Sequence, residues 1–116
     1  NPNIVKAVLG LIEPDSAVAR ALCFSRSPIP FDRDAAGNAR YHRHVGIYAY
    51  TTSMLEEYMR LEESPLEHAE RLEQLRWLEH GYTIAAAIRQ SSHAGIDTED
   101  QYRSFVARHS ARSPGN

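Results

Sequence analysis

The sequence predicts a mixed α/β chain that forms the closing part of a layered, mixed-sheet domain. Three observations predict it. Short apolar runs rich in branched residues, punctuated by turn residues, fill the first half. Apolar positions recur at helical spacing in the second half, and a further apolar run lies between two of those helical stretches. No long crossover helix separates the early runs, so they are expected to pair antiparallel or to extend a sheet.

In chain order, Asn1-Pro2-Asn3 is loop chemistry. Ile4 to Ile12 follows as a strand or short helix, and Ala17 to Ser25 as a second strand. Glu13-Pro14-Asp15-Ser16 between them reads as the turn of a hairpin. Ser27-Pro28-Ile29-Pro30-Phe31 cannot be helical. Each proline lacks a backbone donor and holds its predecessor extended. Asp32 to Arg40 reads as an exposed loop. Arg43 to Tyr50 is expected as a third strand, with Val45, Ile47 and Ala49 on one face and His44, Gly46, Tyr48 and Tyr50 on the other.

Thr51 to Leu61 is expected to be helical. Ser64 to His80 reads as one long helix, with Ser64 and Glu67 as a capping box and Pro65 at the first helical position. Leu66, Ala69, Leu72, Leu75 and Leu78 make its apolar stripe, and Gly81 suits its end. Tyr82 to Ile88 is a short strand. A last helix runs from a Thr98 cap to about His109 with Tyr102, Phe105 and Val106 inward, before a polar tail.

The 116 residues are enough for one compact domain. A net charge of −2 argues against a nucleic-acid partner held by bulk positive charge. The single cysteine, Cys23, excludes an internal disulfide framework. No apolar run approaches the ~20 residues of a membrane-spanning helix, so no membrane insertion is expected. The spacings of the six histidines match no zinc pattern. The first methionine is Met54, which suggests that sequence precedes Asn1.

Four places could carry chemistry. Arg26 and Arg33 flank the proline loop, and a guanidinium fork suits a carboxylate or phosphate, but on the residues alone a surface turn with ordinary ion pairs explains them better. His44 and Tyr48 share a strand face roughly 13 Å apart, with Gly46 leaving room between them, either for a hydroxyl-rich ligand or as a core edge. Glu73 and Gln74, mid-helix and off the leucine stripe, could grip sugar hydroxyls or simply be solvated. Asp97 could be a hard-metal ligand or a second cap beside Thr98.

Taken in order, several segments resemble one family. They are Asn1-Pro2-Asn3-Ile4-Val5-Lys6-Ala7-Val8, Phe24-Ser25-Arg26-Ser27-Pro28-Ile29-Pro30-Phe31-Asp32-Arg33 and Arg43-His44-Val45-Gly46-Ile47-Tyr48-Ala49-Tyr50. Ser64-Pro65-Leu66-Glu67, Leu72-Glu73-Gln74-Leu75-Arg76 and Gly95-Ile96-Asp97-Thr98 follow. The chain resembles the carboxyl-terminal half of the 3-deoxy-manno-octulosonate cytidylyltransferases, the CMP-Kdo synthetases. The resemblance implies a nucleotidyltransferase fold with a strand-rich dimerisation region. It implies transfer of a cytidylyl group from CTP to Kdo, an eight-carbon acid sugar, for lipopolysaccharide synthesis, with Mg²⁺, in a cytoplasmic homodimer.

By the same resemblance, Arg26, His44, Tyr48, Glu73 and Gln74 are substrate-binding positions, and Asp97 is the catalytic metal-binding aspartate. The family's amino-terminal nucleotide-binding half has no counterpart in residues 1–116, so this chain is expected to be a partial domain, inactive alone. Two alternatives remain: a non-catalytic sugar-acid-binding or dimerisation module, or another sugar-acid cytidylyltransferase.

Overall fold

The computed structural model describes residues 1–10, 15–90 and 99–110. Four strands form one sheet in the order β3-β1-β2-β4. They are β1 (Lys6–Leu9), β2 (Val18–Ser25), β3 (His42–Arg43) and β4 (Ala85–Ala87). Every pairing is antiparallel. The expected hairpin is present as β1 on β2, from Lys6 opposite Ser25 to Leu9 opposite Ala21. Its register slips by one between Val8 and Leu9, so β2 carries an extra residue there. The Glu13-Pro14 part of the expected turn lies outside the described residues.

β2 alternates as a half-buried strand should. Ala19 and Ala21 point into the core while Val18, Arg20 and Leu22 are exposed, and past the slip Phe24 is buried. Four helices complete the described chain: α1 (Thr52–Tyr58), α2 (Pro65–Glu70), α3 (Gln74–Glu79) and α4 (Glu99–Ser110). Thr51 caps α1 by accepting from the Met54 N–H. The core is Ala7, Ala21, Phe24, Leu72 and Leu75, with Val5, Leu9, Cys23, Leu78 and Ile84 packed against it. α3 is thus the helix that closes the sheet.

Three expectations are corrected. The strand expected over Arg43 to Tyr50 pairs only at His42–Arg43. The His44 N–H donates to the Val5 carbonyl at 2.8 Å, and the chain then curls, with the Ile47 N–H donating to the Val45 carbonyl at 2.8 Å. That i to i+2 bond is a γ-turn centred on Gly46, and it ends extended geometry. Val45 and Ile47, expected on one face of that strand, are both exposed.

The long helix expected over Ser64 to His80 is two helices. Arg71 sits in the left-handed region (φ 56) and ends α2, and α3 restarts at Gln74. Leu72, Leu75 and Leu78 face the core, but Leu66 and Ala69 are exposed. The break explains it: Leu66 and Ala69 belong to α2, while Leu75 and Leu78 belong to α3, and the two helices present their faces in different directions.

The last helix is present, but Tyr102 and Val106 are exposed and α4 buries no residue. Its expected Thr98 cap lies outside the described residues.

Candidate functional site

The γ-turn brings His44 and Tyr48 together. His44 Nε2 lies 2.5 Å from Tyr48 Oη, not the separation of two positions along a straight strand. Burial pushes the Tyr48 hydroxyl up to about 12, with Tyr50 adding to the shift, and lowers the His44 imidazole below its ordinary 6.5. At neutral pH the tyrosine keeps its proton and the imidazole is uncharged. The pair can therefore donate and accept hydrogen bonds without carrying charge.

A chain of rings joins this pair to the helical half. Phe24 meets His44 edge-on at 5.1 Å, His44 meets Tyr48 at 5.6 Å, Tyr48 stacks on Tyr50 and Tyr50 stacks on Trp77. Trp77, buried in α3, also packs on Tyr58 and edge-on against Tyr82. The loop of residues 44–50 is thus pinned to the helix that begins at Gln74. Aromatic pairs of this kind contribute about 0.5–1.5 kcal/mol each beyond their area.

Glu73 and Gln74 are not mid-helix. Glu73 is the exposed residue that opens α3, and its carbonyl lies 3.5 Å from the Tyr58 hydroxyl. Gln74 is 8% exposed, and its Nε2 has no hydrogen-bond partner among the described residues. A buried amide donor without an acceptor is costly, and a bound ligand with an oxygen can supply one. The residues around Gln74 do not form one solvated face. Arg71 is exposed, Gln74 is buried, and Arg76 makes a two-pronged ion pair with buried Glu67 at 2.8 and 2.6 Å. Nine residues along an unbroken helix would put these two on opposite sides, about 13 Å apart along the axis. The break at Arg71 makes the pair possible. Arg76 also lies 4.5 Å from the Tyr58 ring centre.

Arg26 lies where β2 ends. Its guanidinium donates to the carbonyls of Glu70 at 2.8 Å, Pro2 at 3.1 Å and Arg71 at 3.4 Å. Two of the five N–H groups of an arginine are then left for a ligand. The proline loop beside it is extended, with a cis Ile29–Pro30 bond. Asp97 lies outside the described residues. Among the described residues no group of three or more His, Cys, Asp or Glu side chains could hold a metal ion.

The model of the family described as "Cytidylyltransferase" matches residues 5–86. The chain belongs to that family. It is 48% identical over 103 residues to the 3-deoxy-manno-octulosonate cytidylyltransferase of Acidobacterium capsulatum, covering 89% of this chain and 40% of the relative. It is 40% identical over 115 residues to the enzyme of the same name from Chlorobium limicola, covering 99% of this chain and 44% of that protein. A solved structure of CMP:2-keto-3-deoxy-manno-octonic acid synthetase complexed with CTP matches with a TM-score of 0.82 and 40% identity, over 95% of this chain and 43% of the other. The chain thus spans about two fifths of the length of the relatives it matches. Among the described residues no helix is long and apolar enough to cross a membrane.

Sequence reasoning missed two contributors to the site. Glu70 binds the end of β2, and Trp77 anchors the ring chain. Neither has a local signal, because the partners of Glu70 are 44 and 45 residues away.

Proposed function

We propose that this chain supplies the sugar-acid side of a CTP-dependent cytidylyltransferase that makes CMP-Kdo and pyrophosphate for lipopolysaccharide synthesis. The observation that carries this reading is the buried amide of Gln74, which lacks an acceptor, in a chain of the cytidylyltransferase family. The relatives named for this activity, and the CTP complex of the structural neighbour, support the choice of substrates.

In this reading the free donors of Arg26 face the acid group of Kdo. The Gln74 amide donates to a sugar oxygen, the Glu73 carboxylate accepts from a hydroxyl, and the uncharged His44–Tyr48 pair completes the grip. Holding the sugar by several groups fixes its anomeric oxygen for attack on the α-phosphorus of CTP, with pyrophosphate leaving and the hydroxyl proton lost. Magnesium enters this proposal only through Asp97. When bound, such an ion would neutralise charge on the transferring phosphate. The described residues form no metal cage of their own. A cytoplasmic homodimer belongs to the same proposal, supported by the exposed Val45 and Ile47 (54% and 84%) on the middle segment.

The test is a titration of the purified chain with Kdo, followed by the fluorescence of Trp77, the single tryptophan. Saturable quenching is expected, with no pyrophosphate released on adding CTP and Mg²⁺. Absence of any Kdo binding would overturn the sugar-acid reading, and turnover by the chain alone would overturn its role as a partial site. Where this segment is part of a complete enzyme, His44→Ala is expected to raise the KM for Kdo more than that for CTP.

A further inference from the structure

The clamp between β2 and the left-handed turn is more elaborate than closing a sheet requires. The Glu70 carboxylate accepts from Ser25 Oγ at 2.5 Å and from the Arg26 N–H at 3.0 Å. Ser25 Oγ in turn accepts from the Ser27 N–H at 3.0 Å, at the start of the proline loop. In the opposite direction, the Arg26 side chain donates to the carbonyls of Glu70 and Arg71. Each residue thus binds the backbone of the other. Lys6, itself buried, adds a third strand to the knot by donating to the carbonyls of Asn1, Ile4 and Arg26.

The clamp sits at the point where α2 stops. Glu70 is the last residue of α2, Arg71 is left-handed, and three residues later Gln74 begins α3 with its amide buried and unpartnered. A left-handed arginine is uncommon and needs surrounding contacts to hold it. The bonds to its own carbonyl and to Glu70 are such contacts. They fix the guanidinium of Arg26 against the turn that leads into Gln74.

We propose that Glu70 is a positioning residue of the sugar-acid subsite, locking the end of β2 to the left-handed turn so that Arg26 and Gln74 face one ligand in fixed geometry. The proposal rests on the functional reading above for its ligand, but not for its mechanical content. Glu70 touches no reacting atom. It makes its contribution by keeping two ligand-binding groups in a frame formed before the ligand arrives.

The experiment uses the 116-residue chain and two variants, Glu70→Ala and Glu70→Gln. The second keeps the shape and one acceptor oxygen, so it guards against loss of the fold. Nitrogen-15 NMR reads the side-chain amide of Gln74 and the Arg26 Nε–H in the free protein, with the amides of Val8, Leu9 and residues 18–22, away from the clamp, as the fold control. Kdo affinity is read in parallel. In both variants the Gln74 and Arg26 side-chain signals are expected to move while these control amides hold. Kdo affinity is expected to fall about tenfold in Glu70→Ala and less in Glu70→Gln, in line with the loss of charge-assisted hydrogen bonds. Core variant Leu9→Ala, destabilised without touching the clamp, should leave the Gln74 amide in place. Unmoved Gln74 and Arg26 side-chain signals in Glu70→Gln would overturn the proposal, as would equal movement in Leu9→Ala. A wild-type chain that binds no Kdo would count against the functional reading, and the free-protein signals would then decide the clamp alone.

Discussion

Leu75 is the most deeply buried large side chain, at 1% exposure, and it joins α3 to the sheet. Replacing it by alanine removes apolar contact and leaves a cavity, so Leu75→Ala is expected to cost about 2–5 kcal/mol in urea denaturation. The Glu67–Arg76 pair is a different kind of anchor. Both side chains are largely buried, and two short hydrogen bonds connect them. The Arg76 bonds hold the Glu67 carboxyl below its usual range, against the opposing effect of burial. Removing one partner strands the other, so Glu67→Ala is expected to cost about 3 kcal/mol by the same measurement. At His44, burial favours the neutral ring. Its imidazole proton signals are therefore expected to titrate below pH 6.5 in NMR.

The decisive element is the break between α2 and α3. A non-glycine residue with φ 56 stores strain, because its Cβ crowds the backbone. Arg71→Gly relieves about 1–2 kcal/mol of this and gives back about 0.5–1 through the freer unfolded chain. A net gain of about 0.5 kcal/mol is expected, read as a higher denaturation midpoint, whereas Arg71→Val should lose more than about 1 kcal/mol. The same break explains how a stripe of five apolar positions in sequence yields only three inward ones. It also brings Glu79 back to the first turn of α2, where the Leu66 N–H donates to its carboxylate oxygens at 3.1 and 3.3 Å. The loop of residues 44–50 shows the same principle in a strand. β1 begins at Lys6, so its antiparallel partner runs off that end after Arg43, and the γ-turn at Gly46 takes over where pairing stops.

For the whole molecule, two carboxylates couple stability to acid. Hydrogen bonds from Arg76 lower the pKa of Glu67, and those from Ser25 and the Arg26 N–H lower that of Glu70. Because both are lower in the folded state than in the unfolded chain, their stabilisation is complete above the ordinary carboxylate value of 4.5 and is lost as pH falls through the folded values. The melting temperature is therefore expected to drop steeply below about pH 4.5, and Glu67→Gln should flatten that drop.

The sequence by itself determined the order of elements apart from the division of the second helix, the β1–β2 pairing, the non-helical proline loop, a helix starting at the Thr51 cap and the family to which the residues belong. These rest on neighbours: alternation, proline geometry, caps and short motifs act within a few residues. It also singled out Arg26, His44, Tyr48, Glu73 and Gln74. Only the tertiary structure decided how these residues stand. It curled the His44–Tyr48 segment until the two side chains touched, cut the long helix at Arg71, and buried Gln74. The physical reason is distance along the chain. Glu70 finds Ser25 across 45 residues, and the rings of Tyr50 and Trp77 meet across 27 residues of sequence number. No local pattern encodes partners that far apart, and they decide where a helix may not continue.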